Sequence, residues 1–374
     1  MDVAQIAYGA SLVAVTALLI MYACNPLEQA LEYIGRNLTA GAKGALLLAI
    51  ASSLPEIMVS FVFIFSGQPE LIFAGVFVTA GSACFNALVI PAVSILAARD
   101  GNGKKVSHFS IDRSVLWRDT FWLLTIEALF IYFFGMDFFT IGMAVTLIVA
   151  YFMYVVHVLY QSNNSEDDIE EYEFEALDHE ETHPAISWIG KILDVNRNFF
   201  GNKEFTTSSA IVTASVSAIV VAVACHFLAE GTVALSDGLE IPVIIGAAIF
   251  AAAATSLPDT ILSASAARDG DYEDAVSNAI GSNIFDVSFA LGLPLIIALI
   301  GGGVLIGQSF PNGIEIGHGD GFLDTVRYFV WISSALACMA LIVAARRVTY
   351  TTAYILLGLY GCWIIYVAYF VYQS

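Results

Sequence analysis

The sequence predicts an all-α polytopic membrane protein with ten transmembrane helices, arranged as two inverted repeats of five helices. Three observations predict this fold class: an apolar composition, a series of long apolar stretches, and one unusual passage that occurs in each half. Of the 374 residues, 58% are hydrophobic and 13% are charged, and the mean hydropathy is +0.78. A soluble domain needs more polar residues to cover its own surface. The composition therefore excludes a soluble enzyme, and the net charge of -20 disfavours nucleic acid as a partner.

Ten apolar stretches are long enough to cross a membrane, since a spanning helix needs about 20 mostly apolar residues. The alternating pattern of barrel strands is absent, so every span is predicted to be a helix. The predicted spans are residues 5–24, 41–65, 71–97, 116–134, 138–160, 206–229, 241–266, 275–300, 326–345 and 351–371.

The basic residues predict the orientation of these spans. With the N-terminus outside, the cytoplasmic connections and their flanks contain every Lys and Arg of the chain except Arg327. Basic residues accumulate on the cytoplasmic side of membrane proteins. Both termini are therefore predicted to lie outside, with cytoplasmic connections at 25–40, 98–115, 161–205, 267–274 and 346–350.

The connection 161–205 separates a first half, 1–160, from a second half, 206–374. It begins with a polar stretch that holds ten acidic residues between Glu166 and Glu181 and is predicted to be flexible. Apolar residues at helical spacing in 184–200 predict an amphipathic helix that lies on the membrane surface or packs against the bundle. The string HEETH at 179–183 matches a zinc-protease pattern, but Pro184 follows at once, so no enzyme activity is expected.

One unusual passage occurs once in each half. The first copy is ASSLPEIMVS at 51–60 with GSACFN at 81–86, and the second is ATSLPDTILS at 254–263 with GSNIFD at 281–286. Because each half has five spans, an odd number, the second copy is predicted to enter the membrane upside down relative to the first. Many secondary transporters build a site at the bilayer midplane from inverted repeats with broken helices.

Proline is predicted to break the helix in each copy. Pro55 and Pro258 lack an N–H, and each clashes with the carbonyl group four residues earlier. Carbonyl groups of the preceding turn, such as those of Ala49 and Ala252, are then expected to be free to face a cation. Irregular backbone is tolerated at this depth only where it lines an enclosed or water-filled cavity.

Three acidic residues lie within the apolar spans of these passages, namely Glu56, Asp259 and Asp286. A carboxylate at the bilayer centre costs roughly 3 kcal/mol, so this symmetrical placement predicts an ion site. Asn86 is the counterpart of Asp286, and hydroxyl residues complete the candidate site: Ser52, Ser53, Ser82, Thr255, Ser256 and Ser282. Such oxygen-rich groups suit Ca2+, which takes about six to eight oxygen ligands, better than Mg2+. The spare hydroxyls also predict weaker monovalent sites, and three Na+ ions would neutralise the three carboxylates.

Together, SSLPE with GSACFN and ATSLPD with GSNIFD resemble the two alpha-repeats of the cation/Ca2+ exchanger superfamily, the sodium/calcium exchangers in particular. The resemblance covers both five-span halves and the long connection, with the alpha-repeats at about 41–97 and 241–300. It implies an ion-binding core of spans 2, 3, 7 and 8, with spans 1 and 6 as pivoting elements. It also implies that Glu56 and Asp259 are shared Na+/Ca2+ ligands and that Asn86, Asp286 and the hydroxyl residues complete the sites.

The resemblance implies a secondary active antiporter that exchanges Na+ for Ca2+ across the lipid bilayer by alternating access, with no cofactor. The family's usual Gly-Thr-Ser is changed in both copies, where Ala51 and Ala254 replace the glycine. Asp286 resembles the potassium-dependent branch and also some prokaryotic sodium/calcium exchangers. K+-dependent Na+/Ca2+ exchange and H+/Ca2+ exchange on the same fold therefore stay open. A passive channel is disfavoured, because several carboxylates at paired broken helices favour tight binding over fast conduction.

Overall fold

A computed structural model describes residues 1–36, 49–66, 68–100, 103–164, 177, 187–305, 307–316 and 322–373. These residues are almost entirely helical, which confirms the predicted all-α class. In chain order the helices are α1 (Val3–Ile34), α2 (Ala49–Ser52), α3 (Leu54–Ile64), α4 (Pro69–Ala97), α5 (Arg113–Phe133), α6 (Ile141–Asn164), α7 (Ser187–Leu193), α8 (Val195–Phe200), α9 (Thr207–Leu239), α10 (Val243–Gly246), α11 (Ala252–Thr255), α12 (Leu257–Asp269), α13 (Tyr272–Phe285), α14 (Leu291–Leu305), α15 (Phe322–Ala344) and α16 (Tyr350–Gln373). A π-helical segment, Ala247–Ala251, joins α10 to α11, and a second, Asp286–Ala290, joins α13 to α14.

Helical residues occupy every predicted span. Among the described residues, seven helical stretches are long and apolar enough to cross a membrane, and the stretch from α10 to α12 is an eighth that bends by 40°. The chain is therefore a multi-pass integral membrane protein. The short apolar helix α3 and the helix α5 occupy the two other predicted spans, and the count of ten spans stays a prediction.

The connection between the halves is described in part. The HEETH string and nearly all of the acidic stretch lie outside the described residues, as do residues 41–48 of the predicted second span. Where one amphipathic helix was predicted over 184–200, the described residues form two short helices, α7 and α8. The break occurs at Asp194, whose Oδ1 accepts a hydrogen bond of 2.9 Å from the Arg197 backbone N–H and so caps α8.

The two longest helices, α1 and α9, pack against each other along much of their length. They contain 32 and 33 residues. Glycine permits this close approach: a Cβ atom at Gly9 would lie 2.7 Å from the Leu235 Cα, and one at Gly238 would lie 2.8 Å from the Ile6 backbone nitrogen. Side chains cannot be added at these positions without separating the two helices.

The first span is longer than predicted. The prediction ended it at residue 24, shortly before Pro26, whereas α1 continues through this proline to Ile34. Tertiary packing explains the difference, because Ala30 on the extension forms a small second core with Phe205 and Ala210 near the beginning of α9. The Tyr33 and Phe205 rings also contact each other, with centroids 5.8 Å apart.

The helices that carry the repeated passages lie in the interior. Most residues in the apolar part of α4 are buried within the protein, whereas most of those in the apolar part of α1 are not. α4 contacts α3, α12, α13 and α16. Its polar residues are therefore held against protein and away from lipid, where an unsatisfied polar group is most costly.

Two short antiparallel strand pairs tie the connections together. β1 (His108–Phe109) pairs with β4 (Val348–Thr349), and β2 (Phe138–Phe139) pairs with β3 (Ile314–Glu315). The span prediction places both members of the first pair on the cytoplasmic side, β3 outside, and β2 at the outer end of the fifth predicted span, 138–160. The pairing is consistent with that arrangement, since an error of one span between paired strands would separate them by the bilayer.

Candidate functional site

Two broken helices carry the first acid of each repeated passage. α2 and α3 meet at Ser53, and α11 and α12 meet at Ser256. The backbone angles of the two serines are similar, with φ -95° and ψ 9° at Ser53 and φ -82° and ψ 3° at Ser256. Pro55 and Pro258 each fall in the first turn after the break, where a missing N–H leaves no helical hydrogen bond unmade. The predicted helix breaks are therefore confirmed.

Glu56 and Asp259 lie in the first turn of α3 and α12, and both side chains are fully buried. The N-terminal end of a helix carries partial positive charge, which favours a carboxylate there. The two carboxyl groups also interact electrostatically with each other. The fold thus brings together two acids that are 203 positions apart in the sequence.

A chain of hydrogen-bonding groups links the two repeats through Glu56 and Asp286. The Ser256 hydroxyl donates to Glu56 Oε1 at 3.2 Å, and the Ser82 hydroxyl donates to Asp286 Oδ2 at 2.9 Å. The two hydroxyl oxygens lie 2.8 Å apart. Asn86 Nδ2 donates to the same Asp286 oxygen at 2.9 Å.

This chain has one proton too few when both acids are ionised. Three short contacts run from Asp286 through Ser82 and Ser256 to Glu56, but each hydroxyl supplies a single proton. If each serine donates to its neighbouring carboxylate, the two serine oxygens face each other without a proton between them. A cation that both oxygens bind from one side, or a proton on one carboxyl group, offsets that repulsion.

The hydrogen bonds of Asp259 differ from those of its counterpart. The Ser282 hydroxyl donates to Asp259 Oδ1 at 2.9 Å, and Ser52 is a further hydrogen-bonding partner of this carboxylate. Ser282 therefore binds the acid of its own repeat. Its counterpart Ser82 makes its shorter hydrogen bond across the repeats, to Asp286 Oδ2 at 2.9 Å, and a longer one to the acid of its own repeat, Glu56 Oε1, at 3.4 Å. The repeat has Asn86 where the other copy has Asp286, so the two halves cannot form the same network.

Several buried oxygen atoms of the candidate site have no hydrogen-bond partner among the described residues. Each of the three carboxyl groups has one such oxygen, and Asn86 contributes another. A buried polar atom without a partner costs free energy that folding alone does not recover. The unpartnered atoms are Glu56 Oε2, Asp259 Oδ2, Asp286 Oδ1 and Asn86 Oδ1. Ser53 is a further hydrogen-bonding partner of Asp286.

Acidic side chains alone do not form a metal site here. In the part of the chain that the structure describes, no group of three or more His, Cys, Asp or Glu side chains is arranged to hold a metal ion. A cation in this region would need the amide, hydroxyl and carbonyl oxygens as well. That requirement suits a hard cation such as Ca2+ or Na+ and does not suit a metal that prefers nitrogen or sulfur ligands.

The expectation of a free carbonyl group at Ala252 is wrong for this structure. The Ala252 carbonyl oxygen accepts a hydrogen bond of 3.1 Å from the Thr255 hydroxyl and another of 3.1 Å from the Ser256 backbone N–H. The turn before the break therefore closes on itself and satisfies this group locally. Ala49, the counterpart of Ala252, is the first described residue of α2.

Two residues near the site were not predicted. Asn283 Nδ2 donates to the Ala83 carbonyl at 3.1 Å, and its buried Oδ1 has no partner among the described residues. Cys225 on α9 contacts the Pro55 carbonyl at 3.6 Å. An amide in an apolar span was a sequence signal for Asn283, but its counterpart is Ala83, so the comparison of the repeats did not reveal it. Nothing in the sequence distinguished Cys225.

The chain matches a known family over most of its length. The family described as "Sodium/calcium exchanger protein" matches residues 8–160 and 209–369, which include both repeated passages and all of the candidate site. The unmatched segment in between contains the acidic stretch and the helices α7 and α8.

Curated relatives match shorter segments. Sodium/potassium/calcium exchanger 5 of Homo sapiens is 37% identical over 95 residues, which is 25% of this chain and 19% of the relative. Sodium/potassium/calcium exchanger 3 of Rattus norvegicus is 38% identical over 93 residues, which is 25% of this chain and 15% of the relative. The match thus covers less than a fifth of the length of either relative.

Solved structures match the fold over nearly the whole chain. The H+/Ca2+ exchanger CAX has a TM-score of 0.67 at 14% identity, with coverage of 99% of this chain and 86% of that chain. The sodium-calcium exchanger NCX_Mj has a TM-score of 0.56 at 19% identity, with coverage of 96% of this chain and 99% of that chain. With the extent of the family match and the buried oxygen-rich site between two broken helices, these findings show that the chain belongs to the sodium/calcium exchanger protein family.

Proposed function

We propose that this protein is a secondary active antiporter, not an enzyme, that exchanges Na+ for Ca2+ across the membrane by alternating access. The observation that carries the proposal is the set of unpartnered, buried oxygen atoms on Glu56, Asp259, Asp286 and Asn86. These atoms are the ligand types that hard cations take in proteins. The family and the names of the relatives agree with this function.

In this proposal, Glu56 and Asp259 are the ligands that Ca2+ and Na+ share. Ser52, Ser53, Ser82, Asn86, Thr255, Ser256, Ser282 and Asp286 complete the sites, and the Ala49 carbonyl is a further ligand. The Ala252 carbonyl would join them only in a conformation that opens the turn at the helix break. Three Na+ ions would balance the three carboxylates, whereas one Ca2+ would leave one negative charge, so we propose that exchange is electrogenic.

Alternating access is proposed to use the two halves, 1–160 and 206–374, as inverted five-helix repeats. α1 and α9 would move as the pivoting pair against the inner helices. Their close packing at Gly9 and Gly238 supports movement of the two helices as one unit. Both termini are proposed to lie outside, and the connection 161–205 is proposed to lie in the cytoplasm.

Ca2+ uptake into proteoliposomes under one imposed ion gradient at a time tests the proposal. An outward Na+ gradient should drive uptake of radioactive Ca2+, and a valinomycin-clamped membrane potential should change its rate if exchange is electrogenic. Uptake that is driven only by a proton gradient would replace Na+ with H+ as the counter-ion. Ca2+ flux that is independent of every gradient, with no saturation, would contradict antiport altogether.

K+-dependent Na+/Ca2+ exchange is a second candidate, because Asp286 adds a third carboxylate beside Asn86 and the relatives include sodium/potassium/calcium exchangers. H+/Ca2+ exchange is a third, since the fold also matches an H+/Ca2+ exchanger. The gradient experiment separates the candidates when K+ and pH are varied on both sides of the membrane.

The substitution Asp286→Asn is expected to preserve Ca2+ binding and to shift the dependence of exchange on pH, Na+ or K+. An asparagine keeps an oxygen that can accept from Ser82 and Asn86, so the local network survives. The formal charge of the site falls to that of two carboxylates, which one Ca2+ matches. Calorimetric Ca2+ binding, together with exchange measured against pH and each monovalent cation, checks this expectation.

The reverse substitution Asn86→Asp serves as the comparison. It places two carboxyl groups at the 2.9 Å contact and is expected to increase the requirement for a compensating cation. A fall in Ca2+ affinity of more than about a hundredfold in Asp286→Asn, roughly 2.7 kcal/mol, would instead make Asp286 a principal Ca2+ ligand.

A further inference from the structure

The segment 187–203, here called the linker elbow, exposes large apolar side chains on helices too short to cross a membrane. It consists of α7, α8 and the turn that follows them. Trp188 is 57% exposed, Ile192 63% and Phe199 73%. Trp188 and Ile192 are four residues apart and so lie on one face of α7. Apolar side chains of this size are seldom left in water as a group.

The linker elbow is a fixed structure, so this exposure is not a consequence of loose packing. Asn198 Nδ2 donates to the Lys191 and Ile192 carbonyls at 3.0 and 2.8 Å and thereby closes the end of α7. Asn196 Nδ2 donates to the Lys203 carbonyl at 3.0 Å. Gly201 ends α8 with a φ of 73°, in the left-handed region that glycine readily adopts.

The inner side of the linker elbow is attached to the two long helices. α7 contacts α1, and α8 contacts α9. Gly190, Val195 and Asn196 are buried on this side. The spanning helix α9 begins at Thr207, a few residues after the elbow. The elbow therefore lies close to the beginning of α9, where Phe205 packs against Ala30 near the end of α1, and we expect both helices to leave the membrane there.

Basic side chains accompany the exposed apolar ones. Lys191, Arg197 and Lys203 belong to the linker elbow, and the acidic Asp194 is buried as the cap of α8. Aromatic and aliphatic side chains flanked by Lys and Arg are the combination that enters the interface of a membrane with anionic lipids. Long basic side chains can lay their methylene groups along the apolar region while the charge reaches the headgroups.

We infer that the linker elbow docks on the surface of the bilayer and binds anionic phospholipid headgroups, with Trp188, Ile192 and Phe199 inserted and Lys191, Arg197 and Lys203 at the headgroups. Because the elbow holds both α1 and α9, docking anchors this helix pair to one leaflet. The inference concerns lipid binding and does not depend on which ions are exchanged.

The acidic stretch of the same chain is the rival occupant of this surface, since its charge is also complementary to the basic residues. It offers carboxylates for the three basic side chains but few partners for three large apolar ones. The bilayer interface provides both kinds of partner at the same place. The lipid is therefore the occupant that the exposed side chains favour.

Quenching of Trp188 fluorescence by brominated phospholipids tests the inference in the reconstituted full chain. Trp188→Phe provides the Trp188 component by difference, since four other tryptophans remain. That component should be quenched, and more strongly in vesicles of phosphatidylserine with phosphatidylcholine than in phosphatidylcholine alone. In the triple variant Lys191→Gln, Arg197→Gln, Lys203→Gln, the quenching of Trp188 should no longer depend on anionic lipid. Each charge removed should lower the ratio of docked to undocked elbow by about fivefold.

The double variant Arg346→Gln, Arg347→Gln is the matched control, because it removes basic charge predicted to lie on the same side of the membrane but outside the linker elbow. It should leave the quenching of Trp188 unchanged. A Trp188 component that no vesicle quenches would overturn the inference. Quenching that occurs only after deletion of 164–182 would also overturn it, since the acidic stretch would then be the occupant in the intact chain. If the Trp188 fluorescence responds to free inorganic phosphate and not to anionic lipid, the elbow binds anions in solution, and this result would contradict docking on the bilayer.

Discussion

Replacing Glu56 with Gln, or Asp259 with Asn, is expected to abolish Ca2+ uptake while leaving the protein folded. In Glu56, Oε1 accepts from Ser256 and the buried Oε2 has no partner among the described residues. The amide of Gln keeps an accepting oxygen for Ser256 and replaces the cation ligand with an N–H donor. Loss of one charge from a desolvated ion site costs about 3–5 kcal/mol, which lowers affinity by at least about a hundredfold. Calorimetry measures the loss of Ca2+ affinity, and radioactive Ca2+ uptake measures the loss of transport.

Glu127→Gln is the matched control for this prediction. Glu127 on α5 is also a fully buried carboxyl group, and its Oε1 accepts a hydrogen bond of 2.7 Å from Ser334, outside the candidate site. The same chemical change at this position should leave Ca2+ uptake close to that of the unmodified protein. Near-normal transport by Glu56→Gln or Asp259→Asn, in protein with an unchanged unfolding temperature, would disprove the site assignment.

Gly81→Ala is expected to destabilise the protein and stop exchange, whereas Gly281→Ala should be tolerated. A Cβ atom at Gly81 would lie 2.7 Å from the carbonyl carbon and 2.8 Å from the Cα of Ala248, in the π-helical segment Ala247–Ala251. Both contacts are with backbone, so α4 and this segment would have to separate, at a cost of about 1–3 kcal/mol. The separation would also displace Ser82, which connects Asp286 with Ser256.

Gly281 occupies the equivalent position of the second repeat and supplies the control within the same chain. Among the described residues, a Cβ atom there would meet only the Tyr154 hydroxyl, at an ordinary 3.6 Å, and alanine favours the helix by about 1 kcal/mol. Thermal unfolding in detergent and Ca2+ uptake should therefore separate the two variants. Equal losses of thermal stability and Ca2+ uptake in both variants would contradict this explanation. Both repeats would then require glycine at this position, and the close approach to Ala248 would not be the cause.

The helix breaks could be predicted from the sequence because their cause is local. Pro55 and Pro258 act on the carbonyl groups of the turn that precedes them, whatever lies around that turn. The position of an acid directly after each proline places it in the first turn of the new helix without further information. The same reasoning failed at Ala252, because a threonine hydroxyl and a backbone N–H nearby satisfy its carbonyl group.

The pairing of hydroxyls with carboxylates could not be predicted from the sequence. Ser82 and Ser282 have the same place in their passages, yet the shortest hydrogen bond of Ser82 to a carboxylate is to Asp286 across the repeats, whereas that of Ser282 is to Asp259 in its own repeat. Which carboxylate each serine binds depends on how closely α4 approaches the π-helical segment Ala247–Ala251, which lies before the break at Ser256. These helices are far apart in the sequence. The continuation of α1 beyond Pro26 has a similar origin, since its packing partners are Phe205, at the end of the connection, and Ala210, in the second half of the chain.

By itself the sequence determined that the chain is helical and crosses the membrane many times, that each half contains one broken helix, and that acids follow both breaks. These properties depend on apolar length, on proline and on the spacing of residues along one helix, all of which act over a few turns. Only the tertiary structure decided which buried oxygens share protons, which are left unpartnered and why Gly81 cannot carry a side chain while Gly281 can. Those properties depend on distances of a few ångströms between residues that are about 170 to 200 positions apart, and such distances follow from the packing of all the helices together.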